Sequence, residues 1–153
     1  MTATAAAKVE DLTLNITEEI HVKAPLDVTF EALLEQLGSG MTAAENRPMP
    51  MTIEAWPGGR WYRDLGEGSG HHWAHVQAIK KPTLLEFYGP LMMSYPVTSN
   101  VQYRLSEEDG GTLIKFQHKA LGLITEEHRR GVKTGWASIH ERTRQRAEAK
   151  VSR

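Results

Sequence analysis

Between Leu12 and Lys23 the chain alternates. Leu12, Leu14, Ile16, Ile20 and Val22 share one parity, and Thr13, Asn15, Thr17, Glu19 and His21 take the other. A period of two marks a strand with one face buried, so the segment predicts a long half-buried strand. Ala24-Pro25 ends it. From Asp27 to Leu37 the spacing becomes helical, with Val28, Ala32 and Leu33 beside Phe30, Leu34 and Leu37. Pro25 stands at the start, where a missing N–H costs nothing. Gly38-Ser39-Gly40 stops this helix, and 41–46 predicts a further short one. Met49, Met51, Ile53 and Ala55 then alternate with Thr52, Glu54 and Trp56, the first arm of a hairpin whose second arm is Arg60 to Leu65. Pro57-Gly58-Gly59 between them is turn chemistry. Further strands are predicted at His71–Lys80, Leu84–Tyr88, Val97–Leu105 and Thr112–Ala120, separated by Gly- and Pro-bearing turns. Pro90–Pro96 is a loop of soft apolar residues. Thr125 is a suitable N-cap, with Glu126 and Glu127 in the first turn. The helix it opens runs to about Lys150, with Val132, Trp136 and Ile139 as its apolar stripe and a polar continuation through Thr143 and Arg146.

The order is strand, helical segment, about six more strands, long C-terminal helix. Short turns between neighbouring strands make the pairing antiparallel. One helix covers seven strands only if the sheet curls around it. The predicted class is therefore α+β, a curved antiparallel sheet of about seven strands wrapped around a long C-terminal helix, with one or two short helices after strand 1. A sheet gripping a helix leaves a cavity of the kind that holds ligands.

Composition narrows the function classes. The 153 residues suit one domain, over 11–151, behind a frayed tail at 1–10. No cysteine is present, which removes disulfides, thiolate metal sites and cysteine nucleophiles. A net charge of −1 makes no case for nucleic acid. No apolar run reaches the roughly 20 residues of a membrane span, and Met1–Ala7 is a poor signal peptide. The expectation is a cytoplasmic protein.

Several short motifs in order carry a resemblance. They are Ala24-Pro25 with Val28, Trp56-Pro57-Gly58-Gly59-Arg60, Pro82 to Glu86, Gly110-Gly111-Thr112 with His118, and Gly135-Trp136. With these the chain, over about Leu12 to Arg146, resembles the START-like or SRPBCC superfamily. That is the helix-grip fold of the birch-pollen allergen and lipid-transfer domains. Within it, the chain is most similar to the branch named after the activator of the heat-shock-protein-90 ATPase. The resemblance implies a domain that binds a hydrophobic small molecule, or a protein-binding module. Some superfamily members are cyclases, dehydratases or aromatic-ring oxygenase subunits, and the Rieske cysteines of the last are missing here. The co-chaperone role belongs to larger proteins with an additional N-terminal domain.

The candidate residues follow from parity. Trp56, Trp61, Phe87, Tyr103, Phe116, His118, Val132, Trp136 and Ile139 are expected to wall a pocket between sheet and C-terminal helix. His118, following Ile114 and Phe116 on an apolar parity, supplies its polar handle. Binding of a small hydrophobic or aromatic molecule is the first reading, with no cofactor. The alternative is a cyclase- or dehydratase-like enzyme in which His118 and Glu54 transfer protons. Asp64 is a second carboxylate that can approach Glu54 across the hairpin, with Arg60 and Arg63 as ordinary ion-pair partners for both. A third reading is an interaction module using Met92-Met93, a loop that could close the pocket mouth or bury a homodimer contact. Gly131 and Gly135 would allow close approach of helix to sheet, or leave room for a ligand. In His71-His72-Trp-Ala-His75, strand alternation puts His71 and His75 on one face, about 13 Å apart, and His72 on the other. That spacing makes them solvated or pocket-edge histidines without a metal. The basic tail, Arg142 to Arg153, reads as a solvated helix face.

Overall fold

The computed structural model describes residues 8–152. Seven strands form one antiparallel sheet: β1 (Thr13–Val22), β2 (Thr52–Ile53), β3 (Arg60–Gly66), β4 (Ser69–Lys80), β5 (Leu84–Gly89), β6 (Val97–Glu108) and β7 (Gly111–Gly122). Helix α1 (Leu26–Leu37) follows β1, and α2 (Glu126–Val151) ends the chain. The sheet order is β1-β7-β6-β5-β4-β3-β2. This is the expected curved, helix-gripping α+β architecture. Of the segment expected to fray, residues 1–7 lie outside the described residues, and Val9–Leu12 forms a 3-10 turn.

The chain crosses from β1 through α1 to the opposite sheet edge and returns by hairpins until β7 pairs with β1. On β7, Thr112, Ile114, Phe116, His118 and Ala120 face inward. On β6, Ser99, Val101, Tyr103 and Leu105 do, and on β1, Leu14, Ile16 and Val22. Helix α2 lies against this concave face through Val132, Trp136, Ile139 and His140. Its stripe turns polar through Thr143 and Arg146, yet it stays buried further than a solvated face would, at Thr143 and Ala147. The reason is α1, which packs against the C-terminal half of α2. Arg146 reaches across to Glu35 at 2.9 Å and to Gln36, and Lys150 pairs with Glu35 at 3.0 Å. Thr143 satisfies its hydroxyl on the Ile139 carbonyl at 2.9 Å.

Two local features depart from simple alternation. The first hairpin arm is short, because only Thr52 and Ile53 pair, with Tyr62 and Trp61. Beyond them the chain folds into a turn that reaches over to β4. Gly58 N–H donates to the Val76 carbonyl at 2.8 Å, and Val76 N–H to Gly59 at 2.7 Å. Gly58 has φ +83°, and a Cβ on Gly59 would sit 1.9 Å from the Glu54 carbonyl oxygen. Glycine is required at both positions, for conformation at the first and for space at the second. The other departure is a bulge in β4. Trp61 pairs with Ala74 and Tyr62 with His72, leaving Trp73 as the extra residue, and both Trp73 and Ala74 are buried.

The outer edge of β1 is partly covered. Arg129, on the first turn of α2, donates to the carbonyls of Thr13 and Asp11, the latter at 2.7 Å. Thr125 caps α2 by accepting from His128 N–H at 3.2 Å.

Candidate functional site

An unbroken run of aromatic rings crosses the concave face beneath α2. Trp61 meets Trp73 edge-on at 5.1 Å and Phe87 at 4.8 Å. Phe87 meets Tyr103 at 6.3 Å, Tyr103 meets Phe116 at 5.0 Å, and Phe116 meets Trp136 at 4.8 Å. Trp61, Phe87, Tyr103, Phe116, His118, Val132, Trp136 and Ile139 are all buried. The structure thus brings eight of the nine expected wall residues onto one surface. Their rings touch one another across the concave face beneath the helix. Surface clefts lie elsewhere. One of about 610 Å³ is lined by Pro25, Asp27, Pro82 and the β6–β7 turn, and one of about 520 Å³ by Glu19, Arg104 and Lys115 on the outer face.

Within the aromatic run sits a polar set. Trp136 Nε1–H donates to His118 Nδ1 at 2.9 Å, and His118 Nε2 lies 2.9 Å from Ser99 Oγ. An indole can only donate, so Nδ1 must be bare and the ring proton sits on Nε2, facing Ser99. Burial pushes the His118 pKa down to about 4, which keeps this neutral tautomer in place. A second set adjoins the first. His140 stacks on Trp136 at 5.8 Å, with Nε2 2.9 Å from the Tyr103 hydroxyl and Nδ1 3.1 Å from Glu18 Oε2. Trp61 uses its own N–H on the Leu37 carbonyl at 2.7 Å, tying β3 to the end of α1. Among the described residues no buried side-chain polar atom lacks a partner.

Glu18, Ser99 and His140 were not singled out by sequence reasoning, although signals existed. Glu18 is an acid on the buried parity between Ile16 and Ile20, and His140 is four residues from Trp136 on the buried face of α2.

Other expected residues lie elsewhere. Trp56 is 58% exposed, because the chain has left the β2–β3 ladder before reaching it. It is not a wall residue. Glu54 does not meet His118. Its carboxylate binds Arg60, with Oε1 2.9 Å from Nε and Oε2 3.1 Å from an η nitrogen. The Arg60 side-chain hydrogen bonds hold the Glu54 pKa down at about 2, which unsuits it as a proton donor. Asp64 does not pair with Glu54, since it accepts from Gly66 N–H at 2.7 Å in a local turn. The β4 bulge reverses the histidine parity. His72 and His75 share the outer face with ring centroids 4.5 Å apart, while His71 pairs with Arg63. Among the described residues no group of three or more His, Cys, Asp or Glu is placed to hold a metal.

The Pro90–Pro96 loop closes over one end of the aromatic run. Leu91 and Met93 are buried, and Tyr95 stacks on His128 of α2, its hydroxyl 2.7 Å from Nδ1. Gly131 and Gly135 face open space, with nothing within 4 Å of a Cβ built on either. They mediate no close approach of helix to sheet. Among the described residues no helix is long and apolar enough to cross a membrane.

The family model described as Activator of Hsp90 ATPase homolog 1-like protein matches residues 23–148. No curated protein sequence matches the chain. Among solved structures, an uncharacterised protein from Rhizobium leguminosarum is 19% identical, with a TM-score of 0.68, covering 90% of this chain and 95% of that one. Ara h 8.0201 is 16% identical, with a TM-score of 0.68 and coverage of 90% and 99%. The di-domain ARO/CYC StfQ of the steffimycin biosynthetic pathway is 11% identical, with a TM-score of 0.67, covering 95% of this chain and 54% of that one. At these identities the likeness is one of fold.

Proposed function

We propose that this chain, which belongs to the Activator of Hsp90 ATPase homolog 1-like family, binds a small apolar or aromatic molecule between its sheet and α2. The observation that carries this reading is the aromatic run under α2 with polar tips set into it. Apolar walls bearing a few convergent polar groups are the usual chemistry of a small-molecule site. Trp61, Phe87, Tyr103, Phe116, Trp136, Val132 and Ile139 supply apolar contact, and His118 the polar handle. The wall side chains are buried, so a ligand enters by moving side chains and the N-terminal half of α2 away from the sheet. That half lies outside the clamp that Arg146 and Lys150 make with α1. It carries both helix glycines, each costing about 1 kcal/mol relative to alanine, and its tie to the loop is the Tyr95–His128 pair.

The test is titration of tryptophan emission with fatty acids, naphthalenes and phenols, with native mass spectrometry for stoichiometry. Trp61, Trp73 and Trp136 lie in or beside the run, so a bound ring is expected to change their emission saturably, with a one-to-one adduct. Unchanged emission and no adduct across the panel would overturn the reading.

A further inference from the structure

Tyr103, His140 and Glu18 come from three elements, β6, α2 and β1, and form a hydrogen-bonded chain from the sealed interior towards solvent. Tyr103 is fully buried, His140 is 1% exposed, and the Glu18 side chain is 23% exposed. A carboxylate only accepts, so Glu18 fixes a proton on His140 Nδ1. Nε2 is then bare and accepts the Tyr103 O–H. The imidazole cannot turn away. Trp136 stacks on one face at an interplanar angle of 12°, and Phe116 packs edge-on at 4.4 Å. Among the described contacts, Glu18 and Tyr103 are the titratable groups that meet His140, and the two aromatic neighbours are uncharged. A carboxylate orienting an imidazole, whose far nitrogen holds a hydroxyl, is the arrangement of a general base.

We propose that Tyr103, His140 and Glu18 are an acid–base site acting on an acidic hydroxyl, phenol or enol, of the bound molecule. The proposal rests on the binding reading above. The ligand O–H gives its proton to the Tyr103 oxygen while the proton of Tyr103 passes to His140 Nε2. The electron pair of the broken O–H bond stays on the ligand oxygen. The products are a ligand oxyanion, held by the restored Tyr103 O–H, and an imidazolium paired with Glu18. No co-reactant is needed, and the reverse step returns the proton. Burial first, and the Glu18 charge second, raise the Tyr103 pKa well above its ordinary value. Tyr103 therefore relays charge and does not hold it. Tyr103 is the catalytic residue, touching the ligand, and Glu18 is a positioning residue acting through His140.

The test uses the intact chain at neutral pH with para-nitrophenol and its methyl ether, para-nitroanisole. Binding of each is read from tryptophan quenching, and ionisation of bound nitrophenol from the long-wavelength band of its anion. A charge-assisted hydrogen bond to the anion should raise the ionisation ratio of bound over free nitrophenol by about tenfold. That gain should vanish in Glu18→Gln and His140→Gln, while nitroanisole still binds. If nitroanisole binds but bound nitrophenol is no more ionised than free, or if the gain survives in both variants, this proposal alone is overturned. If neither probe binds, the binding reading falls and takes this one with it. Should His140→Gln fail to fold, the native chain and the partly exposed Glu18→Gln decide the matter.

Discussion

His118 shows how a buried ring is fixed by its partners. The Trp136 N–H forbids a proton on Nδ1, so protonation would set two donors against each other. Stability should register this. An unfolded histidine takes up a proton near its ordinary 6.5, whereas the folded one resists until about 4. The stabilisation is whole above 6.5 and is lost as the pH falls to 4, by up to about 3 kcal/mol at 1.36 kcal/mol per pH unit. Urea unfolding across that window is expected to show the loss. His118→Gln, which can accept from Trp136 and donate to Ser99 without titrating, should flatten it; an unchanged slope would mean that other groups set the acid limb. Residue-level reading of the sequence succeeded where parity was clean, as for Phe116 and His118 on β7. It failed at Trp56, where the ladder ends too soon, and at His72, where a bulge adds one residue.

Helix α2 is two helices in energetic terms. Its C-terminal half is clamped to α1 by Arg146 and Lys150, and its N-terminal half carries Gly131 and Gly135 facing open space. Alanine fits at both positions, so Gly131→Ala with Gly135→Ala should stabilise the fold by about 2 kcal/mol, read as a raised midpoint of thermal unfolding. The same change should slow association of a pocket ligand in stopped-flow fluorescence without abolishing it. Equal association rates would detach ligand uptake from motion of this half. The extent of α2 was legible from Thr125 and the Trp136 stripe. Its burial at Thr143 and Ala147 was not, because that depends on α1 lying across it, a contact between segments about 110 residues apart.

At the scale of the whole molecule, alternation and turn chemistry were enough to read seven strands and a closing helix. They were not enough to join Glu18 to His140, which are 122 residues apart, or Tyr103 to His140, 37 apart. Both meetings need the β1-β7-β6 order and the angle at which α2 crosses it. An acid on a buried parity is the kind of local conflict that marks a functional or strained position, and Glu18 was such a conflict in plain view.

An open sheet has two rims, and the longer one here belongs to β1. Unclaimed carbonyls along such a rim invite a stray strand from a neighbouring copy. Arg129 occupies the carbonyl of Thr13, at the first residue of β1, and that of Asp11 in the turn just before it, from within the same molecule. Arg129→Ala should therefore leave the secondary structure intact by circular dichroism yet raise light scattering on concentration, and a variant that stays monodisperse would show the rim guarded by other means. On that expectation the guanidinium that seats the start of the helix also works as a stopper at one end of the rim, so that helix docking and colloidal behaviour share one side chain.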